Sequence, residues 1–471
     1  MTPDPVRYHA LARPDAPAVA TEAGVWTWAD LDARVSACAA RLSVLPGRRP
    51  VAVVAPTSPD LVVVLLAALR AGVVVAPLSP RWPAAMVEES LARLGADVFI
   101  GDAGGALGVQ TVRLDEVTAP GPAGDTRALD TRALDEARPW TVVHTSGSSG
   151  EPKAALHTVG NHIASAHGVS ARLGLEAGDC WLLDLPLWHV GGLSVVVRCV
   201  LAGAAMAIPD AGTSTADALR RFTPTHASLV STQLFRLLRD DPAAGASLRA
   251  VLLGGSAVAP SLLDAAHAAG LPVCVGYGMT ETTSTVTMTA PGESRDALGT
   301  AGRVLPGREL RVSLAGEIEV RGATLFAGYL GADGLDRPLT SDGWFATGDV
   351  GRFDAAGRLV VAGRLGTRFV SGGENVQPEA VEAALAALPG VAEAVVVAVP
   401  DAEWGERGVA FVRPSGAVLP DAAILCAALR KTLPAFAVPA AIYPWEGAVG
   451  LKPDRRALAA EAERLAGIAS V

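Results

Sequence analysis

Cysteine is scarce in this sequence, and its few copies form no pattern. Cys38, Cys180, Cys199, Cys274 and Cys426 are scattered, odd in number and without metal-ligand spacing. They are expected to be reduced core residues of a cytoplasmic protein, not a disulfide framework or a thiolate metal centre. Long apolar runs are also missing. Leu61 to Leu69 is the most apolar stretch; Arg70 stops it far short of the length needed to cross a bilayer. No apolar signal core follows the polar, proline-containing start Met1 to Arg7. A protein that does not insert into a membrane is expected. Positive charge is short too, with 39 Lys and Arg against 48 Asp and Glu and a formal net charge of -9. That excludes a broad nucleic-acid surface. There is no G-x-S-x-G, the elbow a serine hydrolase needs, and no Cys/His cluster to hold a metal.

What is present is a long and apolar chain. Its 471 residues exceed one ordinary core, and half of them are hydrophobic, so two or more domains are expected. From residue 50 apolar runs alternate with helical patterns. The periodicity predicts strands at Val51–Val54, Val73–Ala76 and Asp97–Ile100 around helices Pro59–Arg70 and Ala84–Leu94. A short tandem repeat, Asp125 to Leu129 and Asp130 to Leu134, reads as an exposed and helical insertion. Asn161 is placed as the cap of a helix reaching Arg172. Strand and helix pairs then continue: Cys180–Leu185 with Gly192–Leu201, Ala205–Ile208 with Thr215–Phe222, His226–Val230 with Gln233–Arg239, and Arg249–Leu253 with Pro260–Ala269. This alternation argues for an α/β fold with parallel sheet covered by helices. Two short strands, Glu309–Ser313 and Glu317–Arg321, flank a hairpin signal and suggest a small antiparallel subdomain. Beyond Gly363 lies a unit of about a hundred residues, a usual domain size. There Pro378 starts a helix carrying Val381, Leu385 and Leu388 that Gly390 ends. Ala394–Val399 and Val409–Val412 read as strands, and Ala422–Leu433 as a helix.

The chemistry concentrates in a few stretches. Thr141 to Lys153 reads T-V-V-H-T-S-G-S-S-G-E-P-K. An extended start leads into a loop whose Gly147 and Gly150 admit unusual backbone conformations. Thr145, Ser146, Ser148 and Ser149 add hydroxyl donors, and Lys153 adds a mobile cation. Such a nest suits a polyanion, most simply nucleotide phosphates. It is not a Walker loop, because Pro152 precedes Lys153 and Ala154 follows it. Tyr277 to Glu281 (Y-G-M-T-E) follows an expected strand, Val273–Val275. Its phenol, hydroxyl and carboxylate therefore sit at a strand end, where α/β sheets place ligands. A carboxylate beside a polyphosphate acts through Mg²⁺. Thr347-Gly348-Asp349 sets a carboxylate behind glycine, suited to ribose hydroxyls. Gly363-Arg364 precedes a second glycine-rich loop, Ser371 to Asn375, and Lys452 is the sole lysine after Lys431.

These pieces, in this order and spanning most of the chain, resemble the acyl- and aryl-adenylating superfamily of acyl-CoA synthetases, luciferases and peptide-synthetase adenylation domains. The resemblance implies a large N-terminal domain (1–363) of parallel-rich sheets with an antiparallel barrel-like subdomain, and a small mobile α+β C-terminal domain (364–471). It implies two half-reactions. A carboxylate attacks the α-phosphate of Mg·ATP and releases pyrophosphate; a thiol, here of coenzyme A, then displaces AMP. It also implies roles. Thr145, Ser146, Gly147, Ser148, Ser149, Gly150 and Lys153 hold phosphates, and Thr280 and Glu281 hold phosphate and Mg²⁺. Gly255, Ser256 and Ala257 lie along adenine, with Tyr277, Gly278 and Met279 beside the nucleotide. Asp349 and Arg364 bind ribose, Gly372 and Gly373 border CoA, Gly366 is the hinge, and Lys452 bridges the carboxylate and the α-phosphate.

A closer resemblance is to the o-succinylbenzoate–CoA ligases of menaquinone biosynthesis. It rests on Gly160-Asn-His162, Trp181 to Leu193 (W-L-L-D-L-P-L-W-H-V-G-G-L), Arg198, Ser228 to Leu234 (S-L-V-S-T-Q-L) and Thr280 to Ser284. The substrate of those enzymes is an aromatic dicarboxylate, of which one carboxylate is activated and the other needs a counter-charge. Arg198, in an apolar helix between Val197 and Cys199, is costly unless paired, and matches their arginine for the spectator carboxylate. By the same match His189 is a gate and substrate contact, Ser284 meets the benzoate side, and Ser231, Gly255, Gly278 and Thr280 line the acid. Three positions depart from the pattern: Gly366 and Thr367 after Arg364, and Leu451 immediately before Lys452. Another aryl- or acyl-CoA ligase, a carrier-protein adenylation enzyme and a non-catalytic nucleotide-binding relative stay open as alternatives. So does a homodimer.

Overall fold

A computed structural model describes residues 2–45, 49–102, 108–121, 133–145, 153–255, 258–331, 334–371, 374–401, 404–416, 418–445 and 453–465. Strand Val51–Val54 and helices Ala84–Leu94 and Thr215–Phe222 coincide with the periodicity. Helix Pro59–Ala71 begins where it was expected. The Ser58 hydroxyl accepts from the Leu61 amide, Pro59 occupies the first turn, and Gly72 closes the helix at φ 78°.

Two large sheets carry the N-terminal part. One has nine strands in the spatial order Arg303–Val304, Ser284–Met288, Val273–Met279, Ala250–Leu253, His226–Leu229, Cys180–Leu182, Ala205–Ala207, Pro17–Thr21 and Gly24–Thr27. It is parallel from Val273–Met279 to Pro17–Thr21 and antiparallel at both ends. The other has eight, in the order Gly334–Asp336, Gly328–Gly331, Ala154–Thr158, Pro139–His144, Val75–Leu78, Val51–Val54, Val98–Ile100 and Gln110–Val112. The period-2 alternation of a strand sends neighbours to opposite faces. Val51 and Val53 join Val19, Trp181, Met206 and Leu252 in one core with helices Trp28–Ser43, Pro59–Ala71, Val159–Leu173 and Val190–Ala202. Ala52, Ala76, Phe99 and Val142 pack in a second cluster on the far face. Likewise Leu182, Ala207, Leu229 and Leu253 form a third with helices Ser231–Asp240 and Pro260–Ala268.

A four-stranded antiparallel sheet follows, in the order Arg308–Val312, Glu317–Gly322, Phe345–Phe353, Leu359–Arg364. The expected hairpin is its first pair. The last sheet is small: Glu374–Val376, Phe369–Ser371, Gly405–Pro414 and Val391–Asp401, with Ala441–Pro444 added in parallel. Helices Pro378–Ala386 and Ala422–Leu429 cover it around their own core. No helix among the described residues is long and apolar enough to cross a membrane.

Several expectations are corrected. Helix Val159–Leu173 is capped by Thr158; Asn161 sits three residues on and closes a reciprocal capping box. Strand Val273–Met279 runs on through Tyr277, because its second half finds an antiparallel partner in Ser284–Met288. Helix Pro378–Ala386 ends before Leu388 and Gly390, and Ala422–Leu429 before Leu433. Cys180 and Cys426 are only partly buried. Helix Pro5–Ala12, held by Asp4 and by the Asp4–Arg70–Asp32 ion pairs, and strands Pro17–Thr21 and Gly24–Thr27 were not foreseen. The tandem repeat lies outside the described residues up to position 132.

Candidate active site

The glycine-rich loop spans the antiparallel strands Pro139–His144 and Ala154–Thr158, so its two ends are fixed by a ladder. A Walker loop would instead lead into a helix. Thr145 and Lys153 clasp across the base: the Thr145 amide donates to the Lys153 carbonyl at 2.9 Å, and the Lys153 amide to Thr145 Oγ1 at 3.4 Å. Ser146, Gly147, Ser148, Ser149 and Gly150 lie outside the described residues, as do Ser256, Ala257, Gly372, Gly373 and Lys452.

Around that base several of the expected residues converge. Tyr329, on strand Gly328–Gly331 beside Ala154–Thr158, donates its phenol hydrogen to Glu281 Oε1 at 2.6 Å. Lys153 Nζ stands 4.8 Å over the Tyr329 ring. Burial and the Glu281 charge keep the Tyr329 phenol protonated, its pKa pushed well up. The ring of His157 hydrogen-bonds the Thr280 carbonyl at 2.8 Å and ties the one-turn helix Thr280–Thr282 to the strand that follows the loop. The buried His157 ring is drawn down to about 4, so it is neutral at physiological pH.

A second cluster joins the nine-stranded sheet to the antiparallel one. Tyr277 Oη donates to Asp349 Oδ2 at 2.8 Å, and Arg364 Nε donates to Asp349 Oδ1 at 2.7 Å. Asp349 and Arg364 are cross-strand partners. Asp349 is buried while the Arg364 side chain is 46% exposed, so the cluster has a solvent side. Burial, then the Asp349 charge, holds the Tyr277 phenol far above its usual pKa. Gly348 takes φ 72° while its amide donates to Glu317, which turns Asp349 into the cluster. Gly255, at φ 85° after strand Ala250–Leu253, has open space where a Cβ would stand.

The third cluster is buried. Arg198 sits mid-helix in Val190–Ala202 with 1% of its surface exposed. Its Nη2 donates to Ser284 Oγ at 3.1 Å, and its guanidinium lies 5.3 Å from the Trp181 ring centroid. It has no carboxylate partner among the described residues, and its Nε has no acceptor. Burial and the charge of Arg308 pull the guanidinium down to about 9. Ser194, one helical turn before it, carries a buried hydroxyl that is equally orphaned, as are those of Ser228 and Ser231 at the end of strand His226–Leu229. Buried polar groups are normally paired, so the open Arg198 Nε and the Ser194 hydroxyl on the same helix face suit a polar ligand. Gly278 is required here: a Cβ would stand 1.8 Å from the Ser284 carbonyl oxygen.

His189 precedes the Arg198 helix and lines a cleft of about 70 Å³ with Pro77, Ser79, Trp82, His144 and Trp188, next to the base of the glycine loop. The residue is exposed, yet the protein around its ring lowers its pKa below the ordinary histidine value. Met279, between Tyr277 and Thr280, packs toward Phe326 and Phe345. Gly366 lies in the single turn Leu365–Thr367 with nothing within 4 Å of a Cβ position. Sequence reasoning missed Tyr329, His157 and Arg308. Arg308 stands between Gly307 and Glu309 in a run that reads as a surface hairpin, and no local signal sets it apart.

Known proteins agree with this architecture. The AMP-binding enzyme family matches residues 6–330, and the AMP-binding enzyme C-terminal domain matches residues 380–448. The 2-succinylbenzoate–CoA ligase of Salmonella typhimurium is 37% identical over 422 residues, 87% of this chain and 86% of that protein. The same-named protein of Escherichia coli is 36% identical, covering 82% of each. E. coli MenE, solved with an analogue of OSB-AMS, superposes with a TM-score of 0.83 at 32% identity over 98% of this chain and 99% of that one. Bacillus subtilis MenE, solved with ATP and magnesium ion, gives 0.84 at 28% identity over 94% and 96%. The chain therefore belongs to the AMP-binding enzymes, in the family of the 2-succinylbenzoate–CoA ligases.

Proposed function

We propose that this protein activates o-succinylbenzoate with Mg·ATP and transfers the acyl group to coenzyme A, the ligase step of menaquinone biosynthesis. One carboxylate oxygen of the acid bonds to the α-phosphorus and pyrophosphate leaves. The thiol sulfur of CoA then bonds to the acyl carbon, AMP leaves and the thiol proton is lost. The observation that carries the reading is Arg198, a buried cation with no counter-charge among the described residues, set against the Ser284 hydroxyl. An acid bringing a second carboxylate supplies the missing charge. Ser231 and His189 border the same acid.

Other assignments follow the resemblance. Thr145, residues 146–150 and Lys153 take the phosphates that leave. Glu281 has one oxygen held by Tyr329 and the other without a partner among the described residues, which fits a magnesium ion held mainly by phosphate oxygens. When bound, that ion neutralises phosphate charge. Thr280 stands beside it. Asp349, fixed by Tyr277 and Arg364, accepts from ribose hydroxyls. The open face at Gly255, with Ser256 and Ala257, suits the flat adenine. Lys452 stabilises charge where the carboxylate meets the α-phosphate. The unit beyond Gly363 swings about Gly366 between half-reactions, bringing Gly372 and Gly373 to CoA. Free cysteines and these substrates fit a cytoplasmic enzyme.

A panel of carboxylic acids supplied with ATP, Mg²⁺ and CoA tests the reading through AMP release. O-succinylbenzoate should give the highest kcat/KM. A simple aryl or fatty acid outperforming it would replace the substrate assignment. No acid-dependent AMP at all would remove the enzymatic one.

A further inference from the structure

Arg198 is not the only buried arginine without a carboxylate. Arg308, 6% exposed, opens the strand Arg308–Val312 and points inward, where every partner is a backbone or hydroxyl oxygen. Its Nε donates to Thr285 O at 2.9 Å, Nη1 to Pro306 O at 2.7 Å and Ala164 O at 3.3 Å, and Nη2 to Ser165 O at 3.0 Å and Ser165 Oγ at 3.4 Å. Ser165 Oγ in turn donates to Thr283 O at 2.5 Å. Arg308 and Ser165 thus grip the backbone on both sides of Ser284, the residue that meets Arg198.

The gripped backbone needs holding. Thr283 and Ser284 take φ 50° and 90°, two of the three positive-φ non-glycine residues among those described. The other, Thr223, merely ends a helix. Thr283 closes the one-turn helix Thr280–Thr282, and Ser284 opens the strand that pairs back on Met279. Such conformations persist only where the surroundings over-determine them. Here Thr282 Oγ1 donates to Ser284 O at 2.8 Å, and Thr283 Oγ1 donates to Thr324 O at 2.8 Å. Room for the clamp is made at Gly168, inside helix Val159–Leu173, where a Cβ would lie 2.1 Å from Arg308 Nη1. Glycine in a helix interior is unfavourable, and its presence here follows from the guanidinium it admits.

We propose that Arg308, acting through Ser165 and the Thr283–Ser284 turn, is a positioning and specificity-determining residue for the second carboxylate of the acid. This rests on the reading of the acid as a dicarboxylate. The clamp sets the Ser284 hydroxyl against Arg198. The uncompensated charge of Arg308 also adds to the positive potential at that end of the site. Bracing alone needs only neutral donors. A buried cation solvated by carbonyls is expensive, and its use here is to make the pocket favourable for a dianion.

Steady-state kinetics on the full-length enzyme test this with two acids, o-succinylbenzoate and 4-oxo-4-phenylbutanoate, which lacks the ring carboxylate. In Arg308→Met the preference for the dicarboxylate, as a ratio of kcat/KM, should fall at least tenfold, mainly through its KM. Arg308→Lys should restore part of the preference. Ser165→Ala, a smaller lesion, should lower it in the same direction and covers the case where Arg308→Met does not fold. A wild type indifferent to the ring carboxylate would overturn the dicarboxylate reading and this proposal with it. A wild type that discriminates, beside variants that lose both acids equally or keep the full preference, would overturn the positioning role alone.

Discussion

At the scale of single residues, Arg198 shows a conflict between stability and function. Its cation is disfavoured by burial and by Arg308, which draws its pKa down to about 9. A base whose charged form is destabilised on folding costs stability at every pH where it stays charged, and removing it lifts that cost. Arg198→Met keeps the length of the chain and should raise the unfolding free energy of the unliganded protein. The gain should be on the order of 1–4 kcal/mol, as when buried charged groups give way to packed apolar ones. The lost bond to Ser284 and the contact with Trp181 work against the gain without reversing it. Denaturant titration of the two proteins would check this, and a less stable variant would contradict it. Arg198 was legible in the sequence because a charge interrupts an apolar helix. Arg308 was not, because its flanking Gly307 and Glu309 resemble a surface turn and the helix it clamps, through Ala164 and Ser165, lies more than a hundred positions away.

At the scale of elements, short-range signals held wherever they were complete. The helix opening at Pro59 and the buried strand Val51–Val54 stand where they were read. Reading failed where the deciding partner is remote. Val273–Met279 seemed to stop at Val275 because Gly276 and Gly278 look like turn residues. The strand continues because Ser284–Met288 pairs with its second half, and those glycines admit Thr285 and the Ser284 carbonyl. The turn Leu365–Thr367 belongs to this scale as well. The Gln377 side chain donates to Arg364 O, and Thr367 Oγ1 donates to Glu379 Oε1, while Gly366 between them is uncrowded. Gly366→Pro removes backbone freedom at the one small residue of that turn. Overall turnover should fall severalfold while ATP affinity stays within about twofold. Stopped-flow measurement of both half-reactions with equilibrium ATP binding would show it. An unchanged turnover would place the hinge elsewhere.

At the scale of the whole molecule, the strand and helix alternation foretold the fold class, and a local turn signal foretold the antiparallel hairpin. It did not give the order of strands, nor the two sheets sharing helices in one core, because pairing between distant segments leaves no periodic trace. The motifs were spread along the chain, and the fold brings Tyr277, Glu281, Tyr329, Asp349 and Arg364 together from three sheets. Lys452 tests whether the small unit serves one half-reaction at a time. Lys452→Ala should slow adenylate formation by ~10²–10³-fold, the usual loss of one preorganised electrostatic donor. From presynthesised acyl-adenylate and CoA it should form thioester at close to the wild-type rate. Equal losses in both halves would make it a folding or docking residue.

The central claim, that the buried Arg198 selects a dicarboxylate for adenylation, is tested most directly by acid-dependent pyrophosphate–ATP exchange in the wild type and in Arg198→Ala. Exchange by the wild type should depend on o-succinylbenzoate. The substitution should raise the KM for that acid by the equivalent of about 2–5 kcal/mol, the loss when one partner of a buried charge pair is removed. Exchange with 4-oxo-4-phenylbutanoate should change little. Absent exchange in the wild type, or an equal loss with both acids, would contradict the account.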